Sequence, residues 1–170
     1  MHSVHRGQRQ VYVTGVLFLH RISDNRFSHT AQRISIVLRN LCGDAAMSHL
    51  MLCTTMWDTV SPQAGNHFLH GLKTEAWEEM ISMGASTAKI ANVCSSAKED
   101  AERIVCELIK NTQTVKLAIQ DEMVNQAKEA VATKAGRVLV QGQKDQAKFD
   151  KKAKKLGKQS IWRRMGCVIQ

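Results

Sequence analysis

Apolar positions fall into short continuous runs along this 170-residue chain, separated by stretches with helical spacing. Residues 11–19 (VYVTGVLFL) form the first run, which reads as a strand buried on both faces, the kind found in parallel sheets. Residues 20–26 (HRISDNR) read as a polar loop. Ser28 or Thr30 then stands where a helix cap belongs, and Ile34, Val37, Leu38 and Leu41 follow at i, i+3, i+4 and i+7. Gly43 comes where a helix end favours a left-handed residue. Residues 49–55 (HLMLCTT) form the second strand, and Met56, Trp57 and Asp58 lead into a loop holding Pro62 and Gly65. A helix is predicted over 68–83, with Leu69, Leu72, Ala76 and Met80 inward and Gly84 closing it. Residues 88–93 read as a third short strand. After Cys94 a helix runs to about Lys110 on a face of Ala101, Ile104, Val105, Leu108 and Ile109. One more helix is predicted over 115–132, with Val115, Ile119, Met123, Ala127 and Val131 near one stripe. Beyond Gly136 the apolar content fades into a Lys/Gln-rich tail, helical in part or disordered.

Alternation of strand and helix three times over predicts an α/β protein with about three mostly parallel strands and flanking helices. Ligands of such folds bind beyond the carboxyl ends of the strands. The polar segments after the three strands, 20–24, 55–58 and 94–98, are therefore the first places to search for chemistry.

Composition narrows the class. With 44% apolar and 23% charged residues the chain can bury a core, and no apolar run is long enough to span a bilayer. The first ten residues lack the apolar centre of a signal peptide, and five scattered cysteines do not form a disulfide framework, so a cytoplasmic location is expected. The net charge of +9 is concentrated at one end: residues 144–170 hold nine Lys/Arg against two Asp, leaving +2 for the remainder. A tail so basic suits an anionic surface. It lacks the interleaved aromatics of a base-stacking surface, so no specific nucleic-acid partner is expected.

Four segments carry a resemblance: TGVLFLHRISDNR (14–26), NLCGDA (40–45), LCTTMWD (52–58) and IQDEMVNQAKEA (119–130). Together, and in this order, they resemble a large fungal group of P-loop GTPase-domain proteins related to septins and immune-associated GTPases. The resemblance covers about residues 11–136. It implies a guanine nucleotide, GTP or GDP with Mg²⁺, as ligand. It places TTMWD where that family reads guanine with N/T-K-x-D. On that alignment Asp58 accepts hydrogen bonds from the guanine N1–H and N2–H, and Thr55 braces the loop. Met56 stands where a Lys lies along the base. Ser96, Ala97 and Lys98 match the loop supporting the base from its other side, and His20, Arg21 and Asp24 form a loop near the site.

One departure is large. The sequence contains no G-x-x-x-x-G-K-[ST] and no D-x-x-G ahead of residue 11, so the phosphate cradle and metal ligand of a GTPase are missing. The expectation is an incomplete three-layer P-loop-type sheet: the carboxyl-terminal part of a GTPase-like domain over 1–112, a helical extension over 113–135 and a basic, partly disordered tail over 136–170. No nucleotide is expected to bind tightly, and hydrolysis is left open. The final Cys167-Val168-Ile169-Gln170 fits C-a-a-X with a farnesyl-type ending, preceded by Lys151, Lys152, Lys154, Lys155, Lys158, Arg163 and Arg164. One lipid chain needs a second signal, and a polybasic segment is one, so the alternative expectation is a membrane-tethered, non-enzymatic interaction module with a prenylated tail. No protein partner is legible. His67 with His70, and Cys42, His49 and Cys53, lack the spacing of zinc sites, and Cys94 has no identifiable base, so neither a metal nor a thiol nucleophile is expected.

Overall fold

The protein is described here by a computed structural model covering residues 12–24, 29–90, 94–110 and 113–166. It is α/β. Three strands, β1 (Val16–Arg21), β2 (Leu50–Thr55) and β3 (Ser86–Lys89), form one parallel sheet in the order β1-β2-β3. Their register pairs Val16 with Leu50, Arg21 with Thr55, and Thr54 with Lys89. β2 is central and its Leu50, Met51, Leu52 and Cys53 are all buried, as a continuous apolar run in a two-sided sheet requires.

Helices cover both faces. Helix α1 (His29–Cys42) and α2 (Pro62–Gly71), which continues through a π-helical turn (Leu72–Ala76) into α3 (Glu78–Ser82), lie on one face. Leu38, Leu72, Trp77 and Met80 from these elements join Leu50, Leu52 and Ile22 in the main core. Helix α4 (Cys94–Lys110) lies on the other face, where Ile104 packs with Met51 and Cys53. A short α5 (Ala118–Gln120) and a π-helical turn (Asp121–Asn125) lead to α6 (Lys134–Gly166), whose first part packs along α1 through Gly142 against Arg33 and the Arg33–Asp145 ion pair at 3.9 Å.

Several expectations are corrected. The first strand is shorter than 11–19 and is not buried on both faces: it is an edge strand whose residues alternate, with Leu17 38% and Leu19 55% exposed. His20 and Arg21 belong to this strand rather than to a polar loop, and Ile22, just beyond, is buried. Pro62 and Gly65 lie within α2, not in a loop. Ser61 caps that helix by accepting from the Ala64 N–H at 3.3 Å, and Pro62 takes the first position, where a missing N–H costs nothing. The helix over 68–83 begins earlier, at Pro62, and passes through a π-helical turn at Leu72–Ala76 before α3. The third strand is Ser86–Lys89, while 91–93 lie outside the described residues. The helix over 115–132 is not continuous: it is reduced to α5, the π-helical turn after it and a 3-10 turn at Ala130–Ala132. Val115 instead bridges antiparallel to Val13, and the chain turns at Ala127, whose φ of +49 ends the π-helical turn's run. The expected α1 caps are Ser28, which lies outside the described residues, and Thr30, which falls inside the helix.

Candidate functional site at the strand ends

The carboxyl ends of the three strands are tied into one row. Past β1, the Ile22 N–H donates to Thr55 O at 2.9 Å, and past β3 the Ile90 N–H donates to Thr54 O at 2.9 Å. Both flanking strands therefore leave the sheet by bonding to the last two residues of β2. The Thr55 hydroxyl donates to His20 O at 3.4 Å, and that of Thr54 to Ala88 O at 3.4 Å.

Beyond Thr55 the backbone reverses. Met56 adopts a left-handed conformation (φ 63, ψ 38), and Trp57–Thr59 form a 3-10 turn whose Thr59 hydroxyl donates to Met56 O at 2.6 Å. Trp57 anchors this turn on three sides. Its indole N–H donates to Thr54 Oγ1 at 3.0 Å, and Lys89 Nζ stands 3.8 Å from its ring centroid. Its ring edge fills the space at Gly65, where an added Cβ would come within 2.7 Å of Trp57 Cζ3. Asp58 is carried on this turn and exposed to solvent. A carboxylate there can accept two parallel N–H donors from a planar ligand beyond the sheet.

His20 is half-buried on the β1 side of the row, stacked near Phe18 (6.4 Å) and edge-on to Trp77 (5.9 Å). Burial lowers its proton affinity below the ordinary histidine value, while the Asp24 carboxylate opposes that shift. Arg21 is exposed, and its carbonyl accepts the Asp24 N–H at 3.1 Å, which closes the turn after β1.

The expected site residues are thus brought together in part. Thr55, Asp58, His20, Arg21 and Asp24 share the end of the sheet formed by β1 and β2. Ser96, Ala97 and Lys98 lie in the first turns of α4, where Lys98 pairs with Glu102 on its own helix at 3.8 Å. Cys167 lies outside the described residues. Two residues of the row, Thr54 and Lys89, were not picked out from the sequence. The signal for Lys89 was present: a lone cation closing a short strand beside a tryptophan-bearing turn can settle on the ring.

A separate cavity of about 320 Å³ opens between α1 and α3, lined by Ser35, Ile36, Arg39, Glu75 and Glu79 among others. Its cation is already engaged, since Arg39 pairs with Glu79 and lies 3.7 Å from Asp44. Among the described residues no group of three His, Cys, Asp or Glu side chains could hold a metal ion, and no helix is long and apolar enough to cross a membrane. No protein-family model matches the chain, and no curated protein and no solved structure matches it either.

Proposed function

We propose that this chain carries the guanine-reading half of a P-loop GTPase-like site, without the part that holds the phosphates. The observation that supports the reading is the row of strand ends, with Asp58 three residues past the central strand of a parallel sheet, where ligands of such sheets bind. Asp58 accepts the N1–H and N2–H of guanine. Adenine offers no such donor pair, so the carboxylate selects. Thr55 braces the turn through its bond to His20 O, and the clamped Trp57 fixes the backbone that aims Asp58. Ser96, Ala97 and Lys98 support the base from the opposite side.

The residues present do not fit a Mg²⁺–triphosphate. The sequence has no Walker-type loop, and the described residues hold no candidate metal cluster. No hydrolytic step is assigned to this chain. With only a base to hold, affinity falls to a dissociation constant on the order of millimolar. Saturation-transfer NMR with guanosine and adenosine tests the reading. Guanosine gives a signal that adenosine does not, and Asp58→Asn abolishes it, because the amide sets an NH₂ against the guanine donors. Equal signals from both nucleosides, or a guanosine signal unchanged in the variant, would sink the reading.

A second reading, a membrane-tethered module, draws on α6. Lys144, Lys148, Lys151, Lys152 and Lys154 are exposed on this helix, as is Phe149 at 67%. A helix of this kind meets an anionic lipid surface through its cations, and a farnesyl on Cys167 would add the apolar anchor.

A further inference from the structure

The geometry points to a second copy of this chain as the partner of the β1 edge, paired antiparallel about a two-fold axis at Phe18. This inference is independent of the guanine reading. It starts from which main-chain groups face outward. Ile22 N–H and Thr14 O are directed at β2, the latter meeting His49 Nδ1 at 3.0 Å. Even-numbered residues of the strand therefore bond inward, and the N–H and C=O of Leu17 and Leu19 point away from the sheet. Among the described residues nothing pairs with those four groups.

The open stretch has two ends. At its start, Val13 bonds to Val115 in both directions (3.2 and 2.9 Å), so a strand already occupies the edge there. At its finish, Ile22 turns into the core. Among the described residues, what remains open is 15–21, and its midpoint is Phe18. An antiparallel copy of the same stretch fits this window in full in one register only, which sets Leu17 opposite Leu19 of the second copy and Leu19 opposite its Leu17. Those two positions carry the outward hydrogen-bonding groups, so the pairing satisfies all of them at once.

The side chains agree. On the α4 face of the sheet, Ile104 covers β2 and Leu108 reaches Gly15 at the entry to β1, where an added Cβ would lie 2.9 Å from its Cδ2. Val105 and Ile109 follow Leu108 round the helix on the side away from Ile104, the side on which Leu108 meets Gly15. They are 45% and 61% exposed, and Leu17 and Leu19, which share the sheet face of Met51 and Cys53, are 38% and 55% exposed. An edge left open among the described residues, with exposed aliphatic side chains on its strand and on the helix of that face, is the arrangement that isolated sheets avoid. In the pair, the two sheets join into one of six strands and each α4 covers its neighbour's leucines.

Sedimentation velocity of the full chain from about 1 to about 200 µM tests this, since a small interface of this type gives a dissociation constant on the order of 10 µM. Wild type shifts from monomer to a closed dimer across that range. Leu19→Lys, on an exposed position, keeps the wild-type circular dichroism and stays monomeric, and Ile109→Glu on α4 weakens association at least tenfold without touching the strand. Mixing Leu17→Cys with Leu19→Cys gives a 17–19 disulfide mapped by mass spectrometry, because those positions face one another. Asp58→Asn leaves the dimer unchanged, which separates this result from the guanine test. A wild-type chain that remains monomeric, assembly that runs past dimers, or dimers that survive both charged variants would overturn the proposal.

Discussion

His20 shows at the scale of one residue how position decides chemistry. It ends β1 with its ring between Phe18 and Trp77, and burial lowers its proton affinity despite the opposing Asp24 carboxylate. The unfolded chain has no such environment, and its histidines take up a proton near pH 6.5. As pH falls through that value the unfolded state binds a proton that the folded state refuses, so stability drops until the lowered folded-state value is reached. The melting temperature should therefore decline from pH 7 toward pH 5.5, and His20→Gln should flatten the decline. A variant profile as steep as that of wild type would place the titration elsewhere. Cysteines follow the same logic in the other direction: Cys42 and Cys53 are sealed in the core, and burial pushes both thiols up to about 11. Neither is a nucleophile at neutral pH.

Among elements, α6 depends on a short set of polar contacts at its start. Thr133 is fully buried, and its hydroxyl oxygen accepts the Gly136 N–H at 3.0 Å while donating to Ala130 O at 2.7 Å. The buried Glu122 carboxylate accepts from the Lys134 N–H at 3.1 Å and from Lys128 Nζ at 2.9 Å, and the Lys128 bond first, then the Lys134 amide, holds its proton affinity below the usual carboxylate range. Thr133→Ala removes the cap and should cost about 1 kcal/mol in urea unfolding, with Thr133→Ser recovering most of it. An unchanged midpoint would show that α6 starts without this cap. None of this was legible in the periodicity. The apolar spacing over 115–132 mimics a helix, but Val115 is drawn to Val13, and a non-glycine residue, Ala127, takes a left-handed conformation that no spacing rule anticipates. Where one cause governs a segment, the pattern was readable. The unbroken run of β2 is central because it is apolar on both sides, and Gly43 (φ +78) and Gly84 (φ +106) end helical segments as their positions imply. An edge strand defeats this reading, since Val16 to Leu19 is as apolar as β2 and only its neighbours reveal that one side is bare. Of the candidate site, Thr55 and Asp58 were legible because they follow the central strand directly. The Lys89–Trp57 contact was not, because it joins residues 32 apart in the chain.

For the whole molecule, charge and core lie in different parts of the chain. The sheet and its helices hold the buried residues, whereas residues 144–170 carry nine of the 24 Lys/Arg. Helix α6 links the two: its first part packs on α1 as far as the Arg33–Asp145 pair, and residues 146–152 beyond that pair are exposed. An exposed ion pair of that kind contributes little, and residues 146–152 after it bury nothing against the body that would stabilise the fold. A chain ending at Asp150 should therefore melt within about 2 °C of the full chain, since a change that small corresponds to less than about 1 kcal/mol in a domain of this size. The same truncation removes the cations from 151 onward and should abolish sedimentation with vesicles containing phosphatidylserine at low salt, even in unlipidated protein. Binding by the full chain should itself fade as ionic strength rises, because Lys and Arg contribute through a screened attraction of about 1 kcal/mol each. Loss of several degrees on truncation would mean that the distal helix folds back on the body. Vesicle binding that survives truncation would move the membrane-facing surface onto the α/β body and remove the tail from the second reading.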